Sequence, residues 1–120
     1  MTDRELLELA AKAAGIKGLQ FESDGTIQNR ANRPTIPYEC HGLLAAIDWN
    51  PLTDDGDALQ LAVKLRIDLD QYADSVRCLR SEDFDDWEGT EAVENLGQDP
   101  CAATRRAIVR AAAEIGKGME

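Results

Sequence analysis

Apolar and polar positions alternate along this chain in two different periods, and the changes of period mark out its elements. Thr2 and Glu5 stand at the spacing of a capping box, and Leu6, Leu9, Ala10 and Ala13 then share one helical face as far as Gly15. Leu19 and Phe21 alternate with Gln20 and Glu22; Asp24-Gly25 supplies a two-residue turn and Ile27 resumes the alternation, which predicts a hairpin over residues 18–29. Pro34 and Pro37 remove backbone donors, so residues 30–37 are expected to form a loop. Leu43 to Ile47 is a continuous apolar run leading into Trp49, the pattern of a strand covered on both faces.

Residues 49–65, WNPLTDDGDALQLAVKL, hold a strand end, a corner and a capped helix in one stretch. Pro51 disfavours helix at Asn50, Thr53 and Asp54 are both suited to cap, and Asp55 and Asp57 complement the helix dipole. Ala58, Leu61, Ala62 and Leu65 form the expected core stripe, with Leu59 and Val63 widening it. A second hairpin follows. Ile67 and Leu69 point one way with Val76 and Cys78, across a turn at residues 72–74, while Asp68 and Asp70 face Arg77 on the other side. Asp99-Pro100 is an N-cap followed by an N1 proline. Ala103, Ala107, Ile108, Ala111, Ala112 and Ile115 then make an alanine-rich face that runs to Gly116.

Length and composition narrow the class. At 120 residues the chain forms a single domain of α+β type, about three helices on a mainly antiparallel sheet. Its formal charge of -10 repels nucleic acid and anionic lipid and favours cationic partners. No apolar run reaches the length of a membrane span and the N-terminus lacks a signal-peptide pattern, so a cytoplasmic location is expected. Cys40, Cys78 and Cys101 are odd in number and widely spaced, unlike a disulfide framework or a paired-cysteine metal site.

The acids are not evenly spread. Residues 81–99 carry Glu82, Asp83, Asp85, Asp86, Glu88, Glu91, Glu94 and Asp99 without a lysine or arginine, and are expected to form an acidic surface loop. Phe84 and Trp87 interrupt the charge. Aromatic anchors flanked by Asp83, Asp85, Asp86 and Glu88 suit a contact with a basic protein surface, and this is the leading functional expectation. An alternative places nucleic acid on Arg105, Arg106 and Arg110 of the last helix, against the sign of the whole molecule. A second alternative, a small thiol- or metal-dependent enzyme, would use Cys40 and His41, but neighbouring side chains on an extended chain point to opposite faces. Asp54, Asp55, Gly56 and Asp57 lack the spacing of a calcium loop, and neither a metal nor another cofactor is expected.

Residues 49–65, residues 103–116 (ATRRAIVRAAAEIG) and the opening ELLELAAKAAG together resemble a family of small phage and prophage proteins of unknown function, the phage ABA-sandwich type. The resemblance does not extend to residues 21–47 or to the acidic arm. It implies a three-layer α/β/α sandwich with helices on both faces of a mainly antiparallel sheet, and a protein of a phage or prophage; the elements read above supply about three helices and a sheet of four or five strands. It implies no activity and no site residues. The expectation is therefore a non-enzymatic protein-binding module in a bacterial host cytoplasm, with a host or phage protein as partner.

Overall fold

A computed structural model describes residues 2–22, 33–80 and 91–119. Three helices, α1 (Asp3–Ala13), α2 (Asp55–Leu65) and α3 (Pro100–Lys117), accompany six strands: β1 (Gln20–Glu22), β2 (Arg33–Cys40), β3 (Leu43–Asp48), β4 (Ile67–Gln71), β5 (Ser75–Arg80) and β6 (Glu91–Asn95). The class is α+β, as expected. The expected single sheet of four or five strands is instead two antiparallel three-stranded sheets, β1-β2-β3 and β4-β5-β6. Alternation identifies a strand but not its long-range partner.

The helix ends follow their sequence signals. Thr2 Oγ1 accepts the Glu5 N–H at 3.2 Å, Asp54 Oδ1 that of Asp57 at 2.8 Å, and Asp99 Oδ1 that of Ala102 at 3.0 Å. The corner before α2 is tied from both sides. Asn50 donates its N–H to Asp57 Oδ2 at 2.9 Å, its carbonyl accepts from the Asp54 N–H, and its side chain accepts from the Leu52 N–H. Asp57 therefore holds the corner as well as complementing the dipole.

The core lies around α3, which contacts α1, α2 and all three strands β4, β5 and β6. Lying between other helices and a sheet, it buries a broad arc, Ala107, Ile108, Val109, Ala111, Ala112, Ala113 and Gly116, and leaves the stripe of Arg106, Arg110, Glu114 and Lys117 toward water. Gly116 is a contact where the pattern suggested a stop. A Cβ there would come within 2.1 Å of the Leu9 carbonyl oxygen, so α1 and α3 meet backbone to backbone. On α2 the expected stripe Ala58, Leu61, Ala62 and Leu65 is buried, but Leu59 and Val63 are 60% and 69% exposed. At 100° per residue those two lie well round the helix from the stripe.

In the second sheet Ile67, Val76, Cys78 and Ala92 are buried, and Asp70 stands opposite Arg77 with an ion pair of 2.7 Å. Residues 91–95, expected within the acidic loop, form β6. The remainder of that loop, residues 81–90, lies outside the described residues, as does the expected turn at Asp24-Gly25. β1 pairs with β2, Glu22 opposite Arg33.

From Arg33 on, β2 overturns the loop expected at residues 30–37, and neither proline interrupts the hydrogen bonding within a ladder. The Trp49 N–H donates to the Pro34 carbonyl at 3.0 Å, so Pro34 closes the end of the β2–β3 ladder. By alternation Pro37 turns its donor-less nitrogen to the opposite side, where β1 has already ended. A Cβ on Gly18, the residue nearest there, would come within 2.7 Å of the Pro37 ring.

Candidate protein-contact surface

The β2–β3 hairpin leaves the body of the molecule. Cys40 pairs with Leu43, and the two residues between them, His41 and Gly42, have φ of 53° and 80°. Two positive φ values in a two-residue connection describe the turn type that matches strand twist. His41 is therefore a turn residue.

Strand register sorts the hairpin into two faces. Phe21, Pro34, Trp49, Ile36, Ile47, Tyr38, Ala45 and Leu43 share one of them, because 34 lies opposite both 21 and 49, 36 opposite 47, and 38 opposite 45. Arg33, Thr35, Pro37, Glu39, Ala46 and Asp48 share the other. The apolar face begins in the core and runs out of it. Trp49 is 6% exposed and Ile36 half-buried, but Ile47 is 41%, Tyr38 49% and Leu43 74% exposed. The expectation that Leu43–Ile47 is covered on both faces fails for this reason: the strand is longer than the body beneath it. Continuous apolar character requires a cover, and among the described residues the tip has none.

The opposite face of the hairpin is acidic. Arg33 is shared between Glu22, at 3.3 Å, and Asp48, at 3.1 Å, leaving one net negative charge in the cluster, and Glu39 adds another exposed acid.

Phe84, Trp87, Asp83, Asp85, Asp86 and Glu88 all lie outside the described residues. Arg105, Arg106 and Arg110 are described, and each is engaged by the protein itself. Arg105 donates from Nε to the Leu52 carbonyl at 2.9 Å and pairs with Asp55 at 2.6 Å. Arg106 bridges Asp3 and Glu94, and Arg110 reaches Glu94 at 3.1 Å and the Val93 carbonyl at 3.0 Å. A phosphate at these arginines would have to displace carboxylates already in place. Among the described acids of the arm, Glu94 meets the arginine helix through these pairs and Asp99 caps it.

Concavities among the described residues include one of about 400 Å³ along Glu94, Arg106 and Arg110. A cleft of about 830 Å³ lies between α1, β1 and Met119, where the Arg4 guanidinium sits 4.4 Å from the centre of the Phe21 ring. A groove of about 380 Å³ between α2, β4 and α3 is lined by Leu59, Leu69, Ile108 and the exposed Cys101. Glu8 in the cleft is paired with Arg4, and Asp55 in the groove with Arg105. Burial first, and the Asp70 carboxylate second, push the Cys78 thiol up to about 11, which makes it inert at neutral pH. Among the described residues no three His, Cys, Asp or Glu side chains converge on a metal position, and no helix is long and apolar enough to cross a membrane. Comparison with protein-family models, with curated proteins and with solved structures gives no match.

Proposed function

We propose that this protein is a non-enzymatic protein-binding module whose contact surface is the apolar face of the projecting hairpin. The observation that carries the reading is the gradient of exposure along one face, from buried Trp49 to Leu43 at the tip. A face of aromatic and aliphatic residues, on a sheet whose opposite face carries acids, suits a partner that offers an apolar patch flanked by lysine and arginine. The net charge of -10 supports the same choice by attracting cationic surfaces over distance. The acidic arm, with Phe84 and Trp87 as anchors beside Asp83, Asp85, Asp86 and Glu88, is proposed as a second part of that contact. The sequence resemblance supports a phage or prophage accessory role in the host cytoplasm, with a host or phage protein as partner.

The test is capture of a partner from the bacterial host before and after prophage induction, with wild-type protein beside two variants. Tyr38→Lys places a charge on the apolar face at an exposed position and leaves the core alone; it should abolish capture of a stoichiometric basic protein. Neutralising Asp83, Asp85, Asp86 and Glu88 should weaken capture and flatten its salt dependence. Capture that survives Tyr38→Lys unchanged would remove the hairpin face from the reading, and co-purified nucleic acid in place of protein would remove the reading itself.

A further inference from the structure

The hairpin has an edge as well as a face. β3 is the outer strand of its sheet, and among the described residues no strand pairs with its free side. Natural edge strands are protected by charges, prolines, bulges or brevity. This one is LLAAID, with a single charge at its last position, and that charge is already held by Arg33.

From this edge we infer that two copies of the chain associate by antiparallel pairing of β3 with β3, joining the two hairpin sheets into one of six strands. The backbone directions decide which groups are available. The Trp49-to-Pro34 hydrogen bond sets the alternation, so Leu43, Ala45 and Ile47 bond inward to β2, and the N–H and C=O of Leu44 and Ala46 point outward. A two-fold interface must be self-complementary. Centred on Ala45, it sets Leu44 opposite Ala46 of the second copy and Ala46 opposite Leu44, giving two hydrogen-bonded pairs from those outward groups. On the apolar face it sets Leu43 beside Ile47 of the second copy and Ile47 beside Leu43. Ala45 then meets its own copy at a non-hydrogen-bonded position, where strands approach most closely and a small side chain fits.

Neighbouring registers are worse. Centring on Ala46 brings Asp48 opposite Leu44. Centring on Leu44 leaves Ile47 opposite His41 and Ala46 opposite Gly42, turn residues whose positive φ takes them out of strand conformation. In the favoured register each Asp48 falls beyond the apolar pairs, and no acid opposes an acid.

The inference concerns the edge of β3, whereas the proposed partner would cover the face. It rests on the hairpin projecting, as that reading does, but the two fail separately. Pairing along one short strand buries less than the about 800 Å² per partner of a standard interface, so the dimer is expected to be weak, in the micromolar range. Two molecules of charge -10 repel, so added salt should strengthen it by screening that repulsion.

The experiment is sedimentation velocity of the full chain across about 5 to 500 µM, a range that brackets such an affinity. The wild type should shift from monomer to dimer with rising concentration, and at lower concentration when sodium chloride is raised. Ala46→Pro removes an outward N–H without touching the β2–β3 ladder, and should leave the circular dichroism spectrum unchanged and the protein monomeric. Should that variant fold poorly, Leu43→Lys with Ile47→Lys, at positions already exposed, should weaken the dimer at least tenfold. Tyr38→Lys, one strand away from the edge, should dimerise as the wild type does. A wild type that stays monomeric throughout the range overturns the inference, and so does a folded Ala46→Pro protein that still dimerises. A monomer that still captures a partner through Tyr38 would overturn the edge alone, leaving the functional reading in place.

Discussion

Gly116 and Cys78 show how single positions are set by what lies against them. An ordinary helical glycine loses about 1 kcal/mol of helix propensity relative to alanine, so Gly116→Ala would stabilise an exposed helix. Here the added methyl meets the Leu9 backbone, which cannot rotate away as a side chain could. We expect the substitution to lower unfolding free energy by about 1–3 kcal/mol, the range for overpacking a rigid site, measured as a lower urea midpoint with an unchanged slope. Cys78 makes a prediction about pH. The thiol is raised from 9.0 to about 11 in the folded state, so below pH 9 it is protonated in both states and its contribution to stability is fully present. Above pH 9 the unfolded thiol ionises while the folded one does not, and stability should fall by about 2–3 kcal/mol by pH 11. Cys78→Ser should remove that alkaline limb. At pH 8 iodoacetamide should modify exposed Cys101 in the native protein and reach Cys78 only in denaturant, as peptide mass analysis would show.

Among the elements, α3 and the corner before α2 are joined by ionic contacts whose worth depends on burial. Arg105 is 17% exposed, and its side chain satisfies both a carbonyl of the corner and the first-turn Asp55. Arg105→Ala should cost about 1.5–3 kcal/mol, the range for hydrogen bonds to a charged group, because the Leu52 carbonyl loses its partner. Lysine cannot replace the forked donor, so Arg105→Lys should recover little. Glu94→Gln breaks pairs with Arg106 and Arg110, whose side chains are each 42% exposed, but strips no part-buried carbonyl of its donor, and should cost under about 1 kcal/mol and less at high salt. Thermal melts of the three variants at low and high salt would rank them. Equal costs would mean that the buried contact does not hold the corner.

At the scale of the whole molecule, the projecting hairpin separates two regions of different stability. The radius of gyration is 15.0 Å, above the about 13.6 Å expected of a compact chain of this length. The body around α3 holds the buried apolar core, and none of the described side chains of the hairpin beyond Ile36 is buried. Amide exchange should therefore be slowest in α3 and β5 and much faster in β2 and β3 beyond residue 36, since local opening there exposes no core. Raising protein concentration through the range of dimer formation should slow exchange at Ala46 and Leu44 in particular. Uniform protection across hairpin and body would show that the tip is covered.

Local signals were legible in residue order because they act over a few positions. The three N-caps, the Asn50–Thr53 corner, the stripe of α2 and the pairing of Asp70 with Arg77 all follow from spacing, dipoles and alternation. The β2 strand was not legible, since its prolines forbid it until one sees that β1 stops short of Pro37. The apolar run Leu43–Ile47 by itself determined a strand that needs cover. Only the tertiary structure decided that the cover ends at Ile36, because burial depends on which distant elements lie above a face. The division into two sheets has the same origin: each strand's alternation is written locally, whereas the choice of neighbour is a comparison among contacts that sequence spacing does not encode.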